Sequence, residues 1–112
     1  MPTPKPIEFL GSALRDLKSF PLSAKREAGY QLDRVQHGLE PADFKPMSGI
    51  GLDVREIRIR DDMGNYRVIY VAKFAHAVYV LHCFQKKTLK TRQTDLRLAI
   101  QRYKELLKEL PP

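Results

Sequence analysis

Two consecutive apolar segments, "YRVIYVAKF" at 66–74 and "AVYVLHCF" at 77–84, constrain the fold of this chain more than any other feature. Both are rich in β-branched and aromatic residues, and both are apolar at almost every position rather than at alternate ones. Strands with this composition are usually covered on both faces. The two segments are therefore predicted to be central strands of a sheet, joined by a tight connection near Ala75 and His76.

A third strand is predicted just before them, because the segment 53–60, "DVREIRIR", has a period of two. Ile57 and Ile59 fall on one face, and the opposite face carries Glu56, Arg58 and Arg60. The intervening "DDMGN" places Asp and Asn beside Gly and is typical of a turn. The three strands are predicted to form an antiparallel meander.

Helical periodicity appears on both sides of the meander. The segment 11–21, "GSALRDLKSFP", predicts a short helix capped by Ser12 and stopped by Pro21. A second helix, capped by Ser23 and ended by Gly38, follows from an apolar stripe of Ala24, Ala28, Leu32, Val35 and Leu39. Residues 40–52 are predicted to be a loop.

A last helix is predicted after the segment 85–94, "QKKTLKTRQT", capped by Thr94 or Thr91, with an apolar stripe of Leu96, Ile100, Tyr103, Leu107 and Leu110. Ile7 and Phe9 indicate a short edge strand at the start. The predicted fold class is α+β: an N-terminal strand, a helical hairpin packed on an antiparallel β-meander, and a C-terminal helix. Residues 1–112 are expected to form one domain.

The charge balance favours a polyanionic partner. Lys and Arg number 20 against 13 Asp and Glu, which gives a net charge of +7; a face of solvated charges is the alternative explanation. Cys83 is the only cysteine, so no intrachain disulfide can form. No apolar run approaches the ~18 residues of a membrane helix, and the start lacks a signal-peptide core. We therefore expect a cytoplasmic protein without membrane attachment.

Many of the cations lie on or just after the predicted strands: Arg58, Arg60, Arg67, Lys73, Lys86, Lys87 and Lys90. Arg67 interrupts an apolar strand, which a salt bridge to Glu56 or Asp61 would explain. Arginine also holds a phosphate through two parallel hydrogen bonds. Arg58, Arg67 and Lys87 can converge on a phosphate only if their strands are neighbours in the matching register.

Other chemically active residues have plainer explanations. His82 alternates with Val80 and Phe84, so we expect a hydrogen-bonded core histidine. Cys83 shares the predicted face of Leu81 and Tyr79 and is expected to be a small core residue. No spacing of His, Cys and Asp predicts a metal site, and no glycine-rich phosphate loop is visible. No cofactor is expected.

The order of four short motifs resembles the RelE/ParE toxin superfamily, most closely its phage-derived HigB-like branch. These motifs are "KPMSGIG" at 45–51, "EIR" at 56–58, "NYRVIYV" at 65–71 and "LHCFQKKT" at 81–88. The resemblance also covers the helical hairpin and the last helix. It implies a small RelE-like fold.

The resemblance implies a toxin of a type II toxin–antitoxin system. The expected activity is that of a ribosome-dependent mRNA interferase, a metal-independent endoribonuclease that inhibits translation. The expected partners are mRNA on the ribosome and a cognate antitoxin with a helix-turn-helix domain, HigA-like. The alternatives are a ParE-like inhibitor of DNA gyrase and an inactive module that binds antitoxin or nucleic acid. Residues 91–97, "TRQTDLR", motivate the last alternative, because some branches place a catalytic Tyr or His there.

The same resemblance assigns roles to individual residues. Arg67 takes the position of a family phosphate-binding arginine, and Arg58 would share its charge-stabilising role. Lys87, Glu56 and His82 are the three candidates for the general base. The expected catalytic set is therefore Arg67, Lys87, Glu56 and Arg58, and the expected RNA-binding set is Arg60, Lys73, Lys86 and Lys90.

Overall fold

The computed structural model describes residues 3–111 as a five-stranded sheet with helices on both faces. The elements are β1 Ile7–Phe9, α1 Ala13–Lys18, α2 Leu22–Gln36, β2 Phe44–Pro46, β3 Val54–Asp61, β4 Gly64–Val71, β5 Val78–Lys86 and α3 Gln93–Glu109. The strand order is β1-β5-β4-β3-β2, with β1 parallel to β5 and the other neighbours antiparallel. The predicted α+β class is confirmed; the short edge strand β2 was expected to be loop.

The helical hairpin α1–α2 packs on one face of the sheet. The predicted stripe of α2 is buried from Ala24 to Val35, in one cluster with Ile57 of β3. Leu39 is an exception and is 53% exposed, because Gly38, at φ +80°, ends the helical path before it. Ser23 is not the N-cap as predicted. Pro21 occupies that position, and the Ser23 hydroxyl donates to Asp61 instead.

Helix α3 packs on the opposite face of the sheet. Its buried residues are Ala99, Tyr103 and Leu106, so the contact stripe lies to one side of the predicted one, and Leu107 is 45% exposed. The helix begins after Arg92 rather than after either predicted threonine. No helix within residues 3–111 combines the length and the apolar character needed to cross a bilayer.

The loop between β2 and β3 packs against α3 through a glycine. A Cβ at Gly51 would overlap the ring of Tyr103, which is itself buried, whereas a Cβ at Gly49 would meet no atom within 4 Å. We expect Gly51→Ala to lower the free energy of unfolding by about 1–3 kcal/mol through overpacking. Gly49→Ala, the matched control, should be neutral or stabilising by less than about 1 kcal/mol. Urea unfolding followed by circular dichroism measures both; equal midpoints would contradict the close approach.

A β-bulge at Leu81 reverses the alternation along β5. Ile69 pairs with His82, but the next residue of β4, Tyr70, pairs with Val80. Leu81 is the extra residue, so side chains after it change face relative to simple alternation. Cys83 consequently lies with Val80 in the core under the helical hairpin, while Leu81 lies in the core under α3. Leu81 and Tyr79 share a face as predicted, but the prediction that Cys83 lies on that face is wrong.

Helix α3 covers only part of this sheet face. On this side the sheet is apolar and buried around Ile69 and Val71, which belong to the core under α3. Towards the β3–β4 turn the same side becomes polar, and Asn65, Arg58 and Arg60 are exposed. One end of this sheet face is thus open to solvent.

Candidate functional site

Four cations from three adjacent strands share the open end of this sheet face. The register pairs Arg58 with Arg67 and Arg67 with Phe84 in one row, and Arg60 with Asn65 and Asn65 with Lys86 in the next. Side chains directly opposite one another in such rows have Cβ atoms about 4.5–5.5 Å apart. We call Arg58, Arg60, Arg67 and Lys86 the cationic face.

Arg67 is the most enclosed member of the cationic face, with 11% of its side chain exposed. Its Nη1 donates to the carbonyl oxygen of Tyr66 at 3.1 Å, and its Nε lies 3.4 Å from Glu56 Oε1. Burial lowers the pKa of Arg67, which the Glu56 charge partly offsets. A guanidinium nevertheless stays protonated in proteins. The predicted salt bridge between Arg67 and Glu56 is confirmed, and it leaves the guanidinium at the edge of solvent.

Glu56 lies entirely beneath this arginine. Its side chain is 0% exposed, and neither carboxylate oxygen has a hydrogen-bond partner among residues 3–111. An ionised carboxylate in such a place is stabilised mainly by the neighbouring cation. The structure therefore places Glu56 as a counter-ion to Arg67 and out of reach of any molecule on the cationic face.

Arg58 forms an ion pair with a different carboxylate, that of Asp43. Its Nη2 lies 2.8 Å and its Nε 2.9 Å from the same Asp43 Oδ1, and its backbone N–H donates to the Asp43 carbonyl oxygen. Both side chains are about 40% exposed, at 40% and 41%. A half-exposed ion pair contributes little net stability, so an incoming anion can compete with Asp43 for Arg58.

The remaining predicted cations separate into two groups. Lys87 and Lys90 are exposed in the loop that follows Lys86, next to the cationic face. Lys73 lies beyond the other end of β4, six residues and roughly 20 Å of extended chain from Arg67. Its Nζ lies over the rings of Phe74 and Tyr103 instead. The register thus places Arg58, Arg60, Arg67 and Lys86 on one face of the sheet. Lys87 and Lys90 lie in the loop that follows it, and Lys73 lies beyond the far end of β4.

His82 has a structural position, as the sequence predicted. It is 4% exposed, and its Nε2 lies 2.7 Å from Asp95 Oδ1 of α3. Its Nδ1 lies 3.4 Å from Nη1 of Arg102. Because Arg102 can only donate, this network assigns Nδ1 as the acceptor and Nε2–H as the donor to Asp95. Both ring nitrogens are engaged in holding α3 against β5, so His82 is not placed to act as a base.

Sequence reasoning missed two residues at this site. Asp43 lies in a segment expected to be an irregular loop, and its position beside Arg58 depends on the unpredicted β2. Phe84 lies in the row of the two arginines, on the face that only the bulge reveals. Within residues 3–111, no group of three or more His, Cys, Asp or Glu side chains is placed to hold a metal ion.

Comparison with known protein families gives a match that covers most of the chain. The family model described as phage-derived protein Gp49-like (DUF891) matches residues 15–104, which include every strand from β2 to β5 and the whole cationic face. A comparison with curated proteins gives no match. Since the family model covers most of the chain, the protein belongs to the phage-derived Gp49-like family, a RelE-like toxin family.

Proposed function

We propose that the protein is the toxin of a type II toxin–antitoxin system and that it cleaves mRNA on the ribosome, as a member of the HigB-like branch. The observation that carries the proposal is the row in which Arg58 faces Arg67 on adjacent strands. Two like charges directly opposite each other repel. Such a pair gains stability when a phosphate binds between them.

The proposed chemistry uses the RNA itself as the nucleophile. The 2′-hydroxyl loses its proton and attacks the adjacent phosphorus, and negative charge develops on the non-bridging oxygens of the pentacoordinate phosphate. The bond between phosphorus and the 5′-oxygen then breaks, which leaves a 2′,3′-cyclic phosphate on one fragment and a 5′-oxygen that takes up a proton on the other. Arg67 would donate to these oxygens from a fixed position, because Glu56 below it and the Tyr66 carbonyl hold the guanidinium. The Arg58 guanidinium would release the Asp43 carboxylate and bind the phosphate in its place. Preorganised donors of this kind act mainly on the transition state.

Glu56 has a positioning role in this proposal rather than the role of a base. Its full burial and its contact with Arg67 support that assignment. His82 is engaged by Asp95 and Arg102. Lys87 therefore remains as the candidate for the proton-transfer role, and Arg60 and Lys86 would contact flanking phosphates.

Two of the four cations of the cationic face, Arg58 and Arg60, are exposed, which supports dependence on the ribosome. An open surface orients a flexible RNA poorly, and orientation can account for about 7–11 kcal/mol of a reaction barrier. We propose that the ribosome supplies this orientation by presenting the mRNA in a bent form. The antitoxin, proposed to carry a helix-turn-helix domain as in HigA-like proteins, would cover the cationic face or the α1–α2 hairpin.

Mapping mRNA 5′ ends in a translating extract tests the proposed activity. Addition of the protein should produce new 5′ ends within coding regions, and a translation inhibitor that empties ribosomes of mRNA should remove them. A supercoiling assay with DNA gyrase run in parallel addresses the ParE-like alternative. Intact mRNA together with inhibited gyrase would replace the proposal with that alternative, and intact mRNA alone would reject it.

A further inference from the structure

The loop that joins β5 to α3 presents a fully exposed leucine at its tip. Leu89 is 99% exposed, against 73% for Leu52, the next most exposed large apolar residue of the described chain. The Thr88 hydroxyl donates to the carbonyl oxygen of Lys90 across the leucine. This hydrogen bond closes a local turn and directs Leu89 away from both cores.

Four cations without ion-pair partners surround this leucine. Lys86, Lys87, Lys90 and Arg92 flank it in the sequence, and none of them forms a salt bridge among the residues that the structure describes. No Asp or Glu occurs anywhere between Asp62 and Asp95. Arg58 and Arg67, in contrast, each have a carboxylate. The loop is therefore the part of this surface where positive charge is least neutralised by the protein itself.

We propose that residues 86–92 form a second RNA contact, in which Leu89 packs against an unstacked base while the flanking lysines contact phosphates. This inference rests on the proposed function for the identity of the partner. Lys86 belongs both to the loop and to the cationic face. An RNA strand bound at Arg67 can therefore extend from the cationic face onto the loop. Unpaired bases provide the apolar faces that such a side chain can contact.

An anionic membrane is the other surface that attracts an apolar tip among cations, and the observations favour it less. A single acyl chain binds a membrane only marginally unless a second signal, such as a polybasic patch, supports it. One leucine offers far less apolar area than an acyl chain, so the loop lysines would have to supply nearly all of the attachment. Membrane binding would also leave unexplained why the loop continues directly from the cationic face. Binding to lipid vesicles is accordingly included as an arm of the test.

The experiment measures binding without cleavage, using a 2′-O-methyl RNA hairpin with an unpaired loop, because the methyl group removes the attacking hydroxyl. Leu89→Ala should weaken binding about 5- to 10-fold without changing its salt dependence, since an apolar contact releases no counterions. Lys90→Gln combined with Arg92→Gln should reduce the slope of log affinity against log salt by about 1.4, at about 0.7 for each lost phosphate contact. Leu52→Ala, and Lys18→Gln with Lys25→Gln, are the matched controls and should bind as wild type does.

The outcomes separate this inference from the proposed function. RNA binding that depends on Leu89, in a protein that leaves mRNA uncut in the translating extract, would support the loop contact and reject the nuclease. Cleavage by the wild type together with unchanged hairpin binding by Leu89→Ala would overturn the loop contact alone. Failure of the wild type to bind the hairpin, or Leu89-dependent binding only to vesicles containing phosphatidylserine, would also overturn it.

Discussion

Arg67→Met is expected to lower the free energy of unfolding by about 3–5 kcal/mol, the usual result of removing one member of a buried ion pair. Methionine fills much of the same volume, so the packing loss is small. The large cost comes from Glu56, which is 0% exposed and has no hydrogen-bond partner for either oxygen within the described part of the chain. Without the guanidinium, its carboxylate would be buried with no compensating charge.

The double variant Glu56→Met with Arg67→Met should recover this loss. Replacing both members of a buried pair by apolar side chains is often neutral, or stabilising by about 1–4 kcal/mol. Arg58→Met is the matched control on the same row; its pair with Asp43 is half exposed, and we expect an effect below about 1 kcal/mol. Urea unfolding at neutral pH measures all three variants. A double variant as unstable as Arg67→Met would contradict the account of Glu56 as a charge balanced by Arg67.

Most of the fold could be predicted from hydrophobic periodicity. The change from a period of 3.6 to a period of two separated the hairpin from the meander, and Gly38 marked the end of α2. The errors came from features that need a second segment to define them. Ser23 has the chemistry of an N-cap, but Pro21 takes that position two residues earlier and the serine hydroxyl donates to Asp61 instead. The strand β2 is only three residues long and depends on pairing with β3.

The candidate site was predictable in composition and less so in arrangement. The alternation of β3 placed Glu56, Arg58 and Arg60 on one face, and the register confirms that Arg67 joins them. The alternation could not show that α3 buries the Glu56 end of this face and leaves the Arg60 end open. It also could not show the bulge at Leu81, because an extra residue in a continuous apolar strand leaves no gap in the pattern.

The buried pair of Glu56 and Arg67 is expected to add no stability over two apolar side chains. We propose that its purpose is to orient the Arg67 guanidinium. A guanidinium on a flexible surface side chain would have to be ordered each time substrate binds. Glu56 fixes Arg67 before binding, on a central strand that is paired on both sides. The expected gain in stability of the double methionine variant and its expected loss of activity are thus two consequences of one arrangement.

Arg67→Lys should reduce mRNA cleavage about 10²- to 10³-fold, the usual effect of losing one positioned donor to a developing oxyanion. Lysine keeps a positive charge above Glu56, so the fold should persist, and unfolding in urea can verify this. Lysine cannot reproduce the planar guanidinium, which lies against Glu56 and can still donate two parallel hydrogen bonds to a phosphate. The measurement is the single-turnover rate of 5′-end formation on ribosomes programmed with a defined mRNA. Arg97→Lys, an exposed substitution on α3, is the control and should cleave at the wild-type rate. An Arg67→Lys protein that cleaves within a few-fold of wild type would show that Arg67 supplies charge alone, and that its fixed geometry contributes nothing to the reaction.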